Sequence, residues 1–196
     1  KINNINVSKN KTTKSKKNNN IYDIVIDAGH GGTDVGATNE NRYEKNDTLK
    51  IAKLVREYLE KENIKVIMTR NDDITCTLHE RCKVANKKKA DLFVSIHRNS
   101  AETGNGVETW INSKKSERDI KLATNIMKYI GKTKIKNDRG IKYGTIKGEN
   151  TDYYVLNNTQ MPSCLIELGF ISDDEDNKLF DENAEEYAKA IAKGII

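Results

Sequence analysis

From residue 21 onward the apolar positions recur in two alternating periods, short continuous runs and longer stretches at helical spacing. That alternation is the pattern of strands joined by crossover helices, and it predicts an α/β fold. IYDIVID (21–27) reads as a buried strand, and the stretch from Glu44 to Glu62 places Leu49, Ala52, Leu54, Val55, Tyr58 and Leu59 on one helical face. IKVIMTR (64–70) reads as a strand, Thr77 to Lys89 as an amphipathic helix, and DLFVSIH (91–97) as a third strand. Connections long enough to hold a helix make these three strands parallel. Further along, GVETWIN (106–112) predicts a strand, Glu117 to Lys132 a helix, and DYYVLN (152–157) a short strand. SCLIELGF (163–170) predicts a buried strand, and Ala184 to Ile196 a closing helix. The segment 134–151 holds Gly140, Gly144 and Gly148 without clear periodicity, and is expected to form a loop walling a groove.

Composition changes this picture mainly at the N-terminus. Residues 1–20 contain Lys1, Lys9, Lys11, Lys14, Lys16 and Lys17, no acid and few apolar side chains, which predicts a disordered Lys/Asn-rich linker. The chain carries +5 overall, yet without those six lysines 28 basic face 29 acidic residues. The basic balance therefore belongs to the tail, and a nucleic-acid partner loses its support. Weak contacts of the tail with acidic polymers, or a plain tether, are what remains. No run approaches the ~20 apolar residues of a bilayer span. Length suits a single domain over residues 21–196, expected to be monomeric. Cys76, Cys82 and Cys164 are odd in number and lack CxxC spacing, so free or buried thiols are expected rather than disulfides or a thiolate metal site.

The chemistry-bearing residues gather at predicted strand ends. His30 in DAGHGG and His97 in SIHRNS both end strands, at the sheet edge where open α/β folds bind ligands. Glu44 opens the first helix, and Glu167 in LIELGF is an acid inside an apolar strand. Taken singly, each has a plain alternative: a hydrogen-bonded structural histidine, a solvated helix-start acid, or, for Glu167, a buried partner of an arginine such as Arg81. Two imidazoles and a carboxylate form a catalytic zinc set with an open fourth position, and four such groups at one edge favour a metal site. His79 falls on a polar helix side and reads as a surface residue. HExxH is absent, and no GK[ST] follows GHGG, whose glycines are expected to let the backbone turn beside His30. Trp110, Tyr153 and Tyr154 fit either a sugar-binding surface or core packing.

The chain resembles the Amidase_3 family of N-acetylmuramoyl-L-alanine amidases across nearly all of residues 21–196. The resemblance is carried by IDAGHGGTDVGA (26–37), Glu44–Lys45, LVREYLEKENIKVIMTRNDD (54–73), TLHERCKVANKKKADLFVSIHRNS (77–100), GVETW (106–110), DRGIK (138–142), YYVL (153–156) and MPSCLIELGFISD (161–173). It implies a twisted, mostly parallel sheet of about six strands with helices on both faces. It further implies Zn2+ held by His30, Glu44 and His97, with Glu167 as the catalytic acid residue. The implied reaction cuts the amide between N-acetylmuramic acid and L-alanine of the peptidoglycan stem peptide, by a zinc-activated water, in a secreted enzyme of the cell wall. Alternatives of other classes are a zinc peptidase acting within the stem peptide and an inactive wall-binding module. Arg98, where a small residue is common, and Asp173, where Asn is common, depart from the family pattern and bear on substrate preference. Some members carry a helical insertion that plugs the zinc site; the short connection from Asn112 to Arg118 predicts none here.

Overall fold

The computed structural model of this chain describes residues 23–145 and 151–196. The expected linker over 1–20 lies outside the described residues. Among the described residues eight strands and five helices follow in the order β1 (Asp23–Ala28), β2 (Thr38–Asn39), β3 (Arg42–Tyr43), α1 (Glu44–Lys61), β4 (Lys65–Met68), α2 (Leu78–Lys88) and β5 (Leu92–Asn99), then β6 (Val107–Ile111), α3 (Glu117–Ile130), β7 (Asp138–Tyr143), α4 (Tyr154–Asn158), β8 (Ser163–Phe170) and α5 (Asp174–Ile195). β2 and β3 form a small antiparallel hairpin, and the other six strands make one sheet in the order β4-β1-β5-β8-β6-β7. β4, β1, β5 and β8 run parallel, β6 is antiparallel to β8, and β7 is parallel to β6. The expected α/β architecture is therefore present, with a mostly parallel sheet.

Strand alternation splits the sheet into two unlike faces. One face presents Ile24, Ile26, Val94, Ile96 and Ile166 to the main core, which α1, α3 and α5 close. The other presents Val25, Phe93 and Leu165 to a smaller core completed by Cys82 and Ala85 of α2 and by Val155 and Leu156 of α4. Each large apolar side chain so buried contributes about 1.5–3 kcal/mol relative to exposure. Among the described residues the second face has only the helices α2 and α4 above it, which leaves room at its carboxyl edge for a groove.

Three local expectations are corrected. Residues 152–157 form no strand: Tyr154–Asn158 is a helix that docks Val155 and Leu156 on the smaller core. A strand lies instead inside the supposed loop, as the edge strand β7; residues 146–150 of that loop lie outside the described residues. The last helix begins at Asp174, not near 184, because Asp173 caps it through a side chain that accepts from the Asp176 N–H, and a kink at Asn183 joins two helical pieces. β6 and α3 are joined by residues 112–116 alone, with no helix between them. Among the described residues no helix is long and apolar enough to cross a membrane. All three cysteines are free, with Cys82 and Cys164 buried, and His79 is exposed.

Candidate metal centre

The turn after β1 runs through left-handed backbone at His30, Gly31 and Gly32, with φ of 59°, 130° and 59°. His30 is the costly member, since a side chain at such φ is strained unless its surroundings hold it there. Two buried arginines hold it. Arg81 donates from Nη1 to the Ala28 carbonyl at 2.6 Å and from Nη2 to the His30 carbonyl at 2.8 Å. Arg70 donates to the carbonyls of Ala28, Gly29 and Lys45 at 3.0, 2.9 and 2.8 Å. Arg81 is in turn paired at 2.7 Å with Asp27, whose carboxylate also accepts from Thr69 and Ser95, both at 2.6 Å. Burial opposes ionisation of Asp27, but the Arg81 guanidinium and these hydrogen bonds outweigh it and hold the carboxyl below its ordinary value. The alternative partner proposed for Glu167 is thus already engaged elsewhere.

On this scaffold His30, Glu44 and His97 converge, one ligating atom from each lying within 4.8 Å of the others. His30 Nε2 is 3.1 Å from Glu44 Oε2, and His97 Nδ1 is 3.0 Å from Glu44 Oε1. Glu44 is fixed by two amides as well, the Ala37 N–H donating to Oε2 at 2.8 Å and the Arg98 N–H to Oε1 at 2.9 Å. Burial works against its ionisation, yet His30 and His97 prevail and keep the carboxyl well below the usual carboxylate range. Gly29 permits the convergence, because a Cβ there would lie 2.4 Å from the His97 ring. Asp34 accepts a hydrogen bond from His30 Nδ1 at 2.9 Å, the arrangement by which a carboxylate orients a metal-binding imidazole.

Glu167 is the register partner of His97 across β5 and β8, so both side chains leave the sheet on the same face. They line one groove of about 610 Å³ with His30 and Glu44. Among the described residues Glu167 Oε2 is buried without a hydrogen-bond partner. Burial, followed by the charges of Glu44 and Glu108, pushes its carboxyl well above the usual carboxylate range, with Arg98 opposing. A buried acid with an unspent oxygen, beside two imidazoles and a carboxylate, fits a site built around a cation and a proton transfer. All four residues singled out in the sequence are therefore brought together.

The other candidates sort differently. Trp110 is buried and meets Tyr153 edge-to-face at 5.6 Å, as part of the smaller core, whereas Tyr154 stands exposed on the groove wall. Arg98 is committed to packing: it donates to Asp47 at 2.6 Å and Asn177 at 2.7 Å and stacks 4.3 Å over the Phe180 ring. Asp173 is the cap of α5. Both departures from the family pattern thus have structural roles. Asp34, Arg70 and Glu108 were not singled out in the sequence. Asp34 had a signal in its place within the GHGGTD run; Arg70 and Glu108 had none, because their value lies in distant backbone and side-chain partners.

Fold and site together define an α/β domain with a His-Glu-His candidate metal centre at the carboxyl edge of a mostly parallel sheet. The chain belongs to the Amidase_3 family, described as N-acetylmuramoyl-L-alanine amidase, whose model matches residues 24–196. It is 39% identical over 176 residues to the uncharacterised protein YqiI of Bacillus subtilis, spanning 88% of this chain and 82% of that one. To the endolysin of Bacillus phage SPP1 it is 37% identical over 88% of this chain, but it spans only 64% of the endolysin's length. Among solved structures, the catalytic domain of CwlV, an N-acetylmuramoyl-L-alanine amidase from Paenibacillus polymyxa, superimposes with a TM-score of 0.78 at 36% identity, covering 89% of this chain and 96% of that domain.

Proposed function

We propose that this chain is a zinc-dependent peptidoglycan amidase acting at the cell wall, with His30, Glu44 and His97 holding the ion and Glu167 moving the proton. The observation that carries this reading is the convergence of three ligating atoms within 4.8 Å beside a buried acid whose Oε2 has no partner among the described residues. Family membership supports the bond attacked, the amide between the lactyl group of N-acetylmuramic acid and L-alanine. A zinc ion, when bound, supplies Lewis acidity, polarising the amide carbonyl and lowering the pKa of water toward about 7.

The rest of the chemistry falls to the chain. Asp34 fixes the ring of His30, while the Ala37 and Arg98 amides fix the carboxylate of Glu44, so the donor set is organised before any ligand arrives. Glu167 takes a proton from the attacking water and delivers it to the departing alanine amine, a role suited to a carboxyl of raised proton affinity. The catalytic domain is taken to be residues 21–196, with the Lys-rich stretch before it a tether.

Zinc titration followed by digestion of purified sacculi tests the assignment. One tight site, with new alanine N-termini and intact glycan released in proportion to zinc, is the expected result. New amines from within the stem peptide would assign a peptidase instead, and zinc binding without any release would leave a binding module.

A further inference from the structure

Strand β7 is out of phase with itself. Its pairing with β6 steps from Val107↔Asp138 to Thr109↔Ile141, so β7 carries one more residue than β6 across that step. Gly140, inside the step, has φ of 74°, a left-handed value that glycine adopts without strain. An unbroken strand would put Arg139 on the same face as Ile141 and Tyr143, which pack against the main core. The bulge reverses that. Arg139 Nε donates to Glu108 Oε2 at 2.7 Å, and Glu108 is the register partner of Glu167 across β6 and β8. Arg139 is therefore turned onto the face that holds the candidate metal centre.

The surroundings leave its outer edge available. Glu108 is buried and also accepts from Asn99 Nδ2 and Trp110 Nε1, each at 2.9 Å, so the anchor is rigid. The guanidinium lies 5.0 Å over the Phe170 ring, and the side chain is 33% exposed. Among the described residues Nη1 and Nη2 make no hydrogen bond. A planar fork held by Nε, with two amino groups facing outward, matches a carboxylate. β7 is two strand spacings from β8, about 9–10 Å. An extended peptide advances about 3.3–3.6 Å per residue, so that distance is two or three residues past the bond at Glu167.

We propose that Arg139 is a specificity-determining residue that binds a free carboxylate of the stem peptide, carried two or three residues beyond the scissile amide. The proposal rests on the amidase assignment. It is tested with zinc-loaded full chain on muramoyl peptides that differ only in carboxylate against carboxamide, at the second stem residue in one pair and the third in another. The wild type is expected to favour the carboxylate in one pair by roughly tenfold in kcat/KM, mainly through KM, as for a hydrogen bond to a charged group. In R139Q the ratio should fall to about one, and R139K should retain part of it. Because each ratio is taken within one protein, partial unfolding cancels. An even ratio in both pairs for the wild type, or a preference kept in R139Q, overturns the proposal while leaving the amidase assignment intact. Failure of every substrate to yield an alanine N-terminus sinks that assignment, and the role of Arg139 with it.

Discussion

The two faces of the sheet are built from the same strands and do opposite work. On the α1, α3 and α5 side, alternate residues of β1, β5 and β8 include Ile24, Ile26, Val94, Ile96, Cys164 and Ile166, all buried and apolar, and the one buried charge that follows them in β5, Arg98, is paired with Asp47. On the α2 and α4 side, the residues between them begin as Val25, Phe93 and Leu165 and change toward the carboxyl edge into Asp27, Ser95, His97 and Glu167. Buried polar groups are costly unless paired. Gathering Asp27, Ser95, His97 and Glu167 at one end of one face lets the mainly apolar opposite core anchor the strands while the thinly covered end carries strained backbone and buried charge.

Substitutions on either side should separate these roles. The largest effect is expected from Glu167→Gln, which should lower kcat by about 10² to 10⁴ while zinc content and unfolding midpoint stay near wild type; metal analysis beside initial rates would show it. A rate near wild type would remove Glu167 from the chemistry. Next comes Arg81→Met, which leaves Asp27 buried without its cation and should cost about 3–5 kcal/mol at neutral pH. Its pH dependence has a sign. The wild-type Asp27 carboxyl is held below its ordinary value, so its contribution is present above about pH 4 and lost as pH falls through the folded value. In the variant burial is no longer outweighed by a cation and favours the neutral acid, so urea unfolding at pH 7 and pH 4 should find the gap between the two proteins narrower at pH 4.

On the apolar face, Ile166→Ala should cost about 2–5 kcal/mol in urea unfolding. Its zinc affinity, measured on the folded fraction, should not change; a loss comparable with that of His97→Ala would mean that the faces are not separable. The smallest effect belongs to Asp34→Asn, which should weaken zinc binding about 10- to 100-fold in a competition titration without shifting stability.

Much of this division could be read in the sequence, because His30 and His97 stand at strand ends and Glu167 interrupts an apolar run. What escaped reading has physical causes. β7 is an edge strand in which a bulge at Gly140 breaks the alternation, so DRGIKY shows no clean period of two. YYVLN has strand-like aromatic and β-branched residues, yet tertiary packing of Val155 and Leu156 against α2 and β8 makes it helical. The start of α5 was hidden by its acids, although Asp174, Glu175 and Asp176 in a first turn suit the positive end of a helix dipole. Arg98 could not be placed at all from sequence, since its partners Asp47, Asn177 and Phe180 lie far along the chain.

The position of β8 sets when the candidate site can be complete. It is the final strand in chain order, yet it is inserted between β5 and β6 near the middle of the sheet and brings Glu167 with it. A polypeptide still emerging from the ribosome, or cut short before this strand, would own His30, Glu44 and His97 but not Glu167. The four candidate residues are thereby assembled only after the final strand in chain order has found its place between two earlier ones.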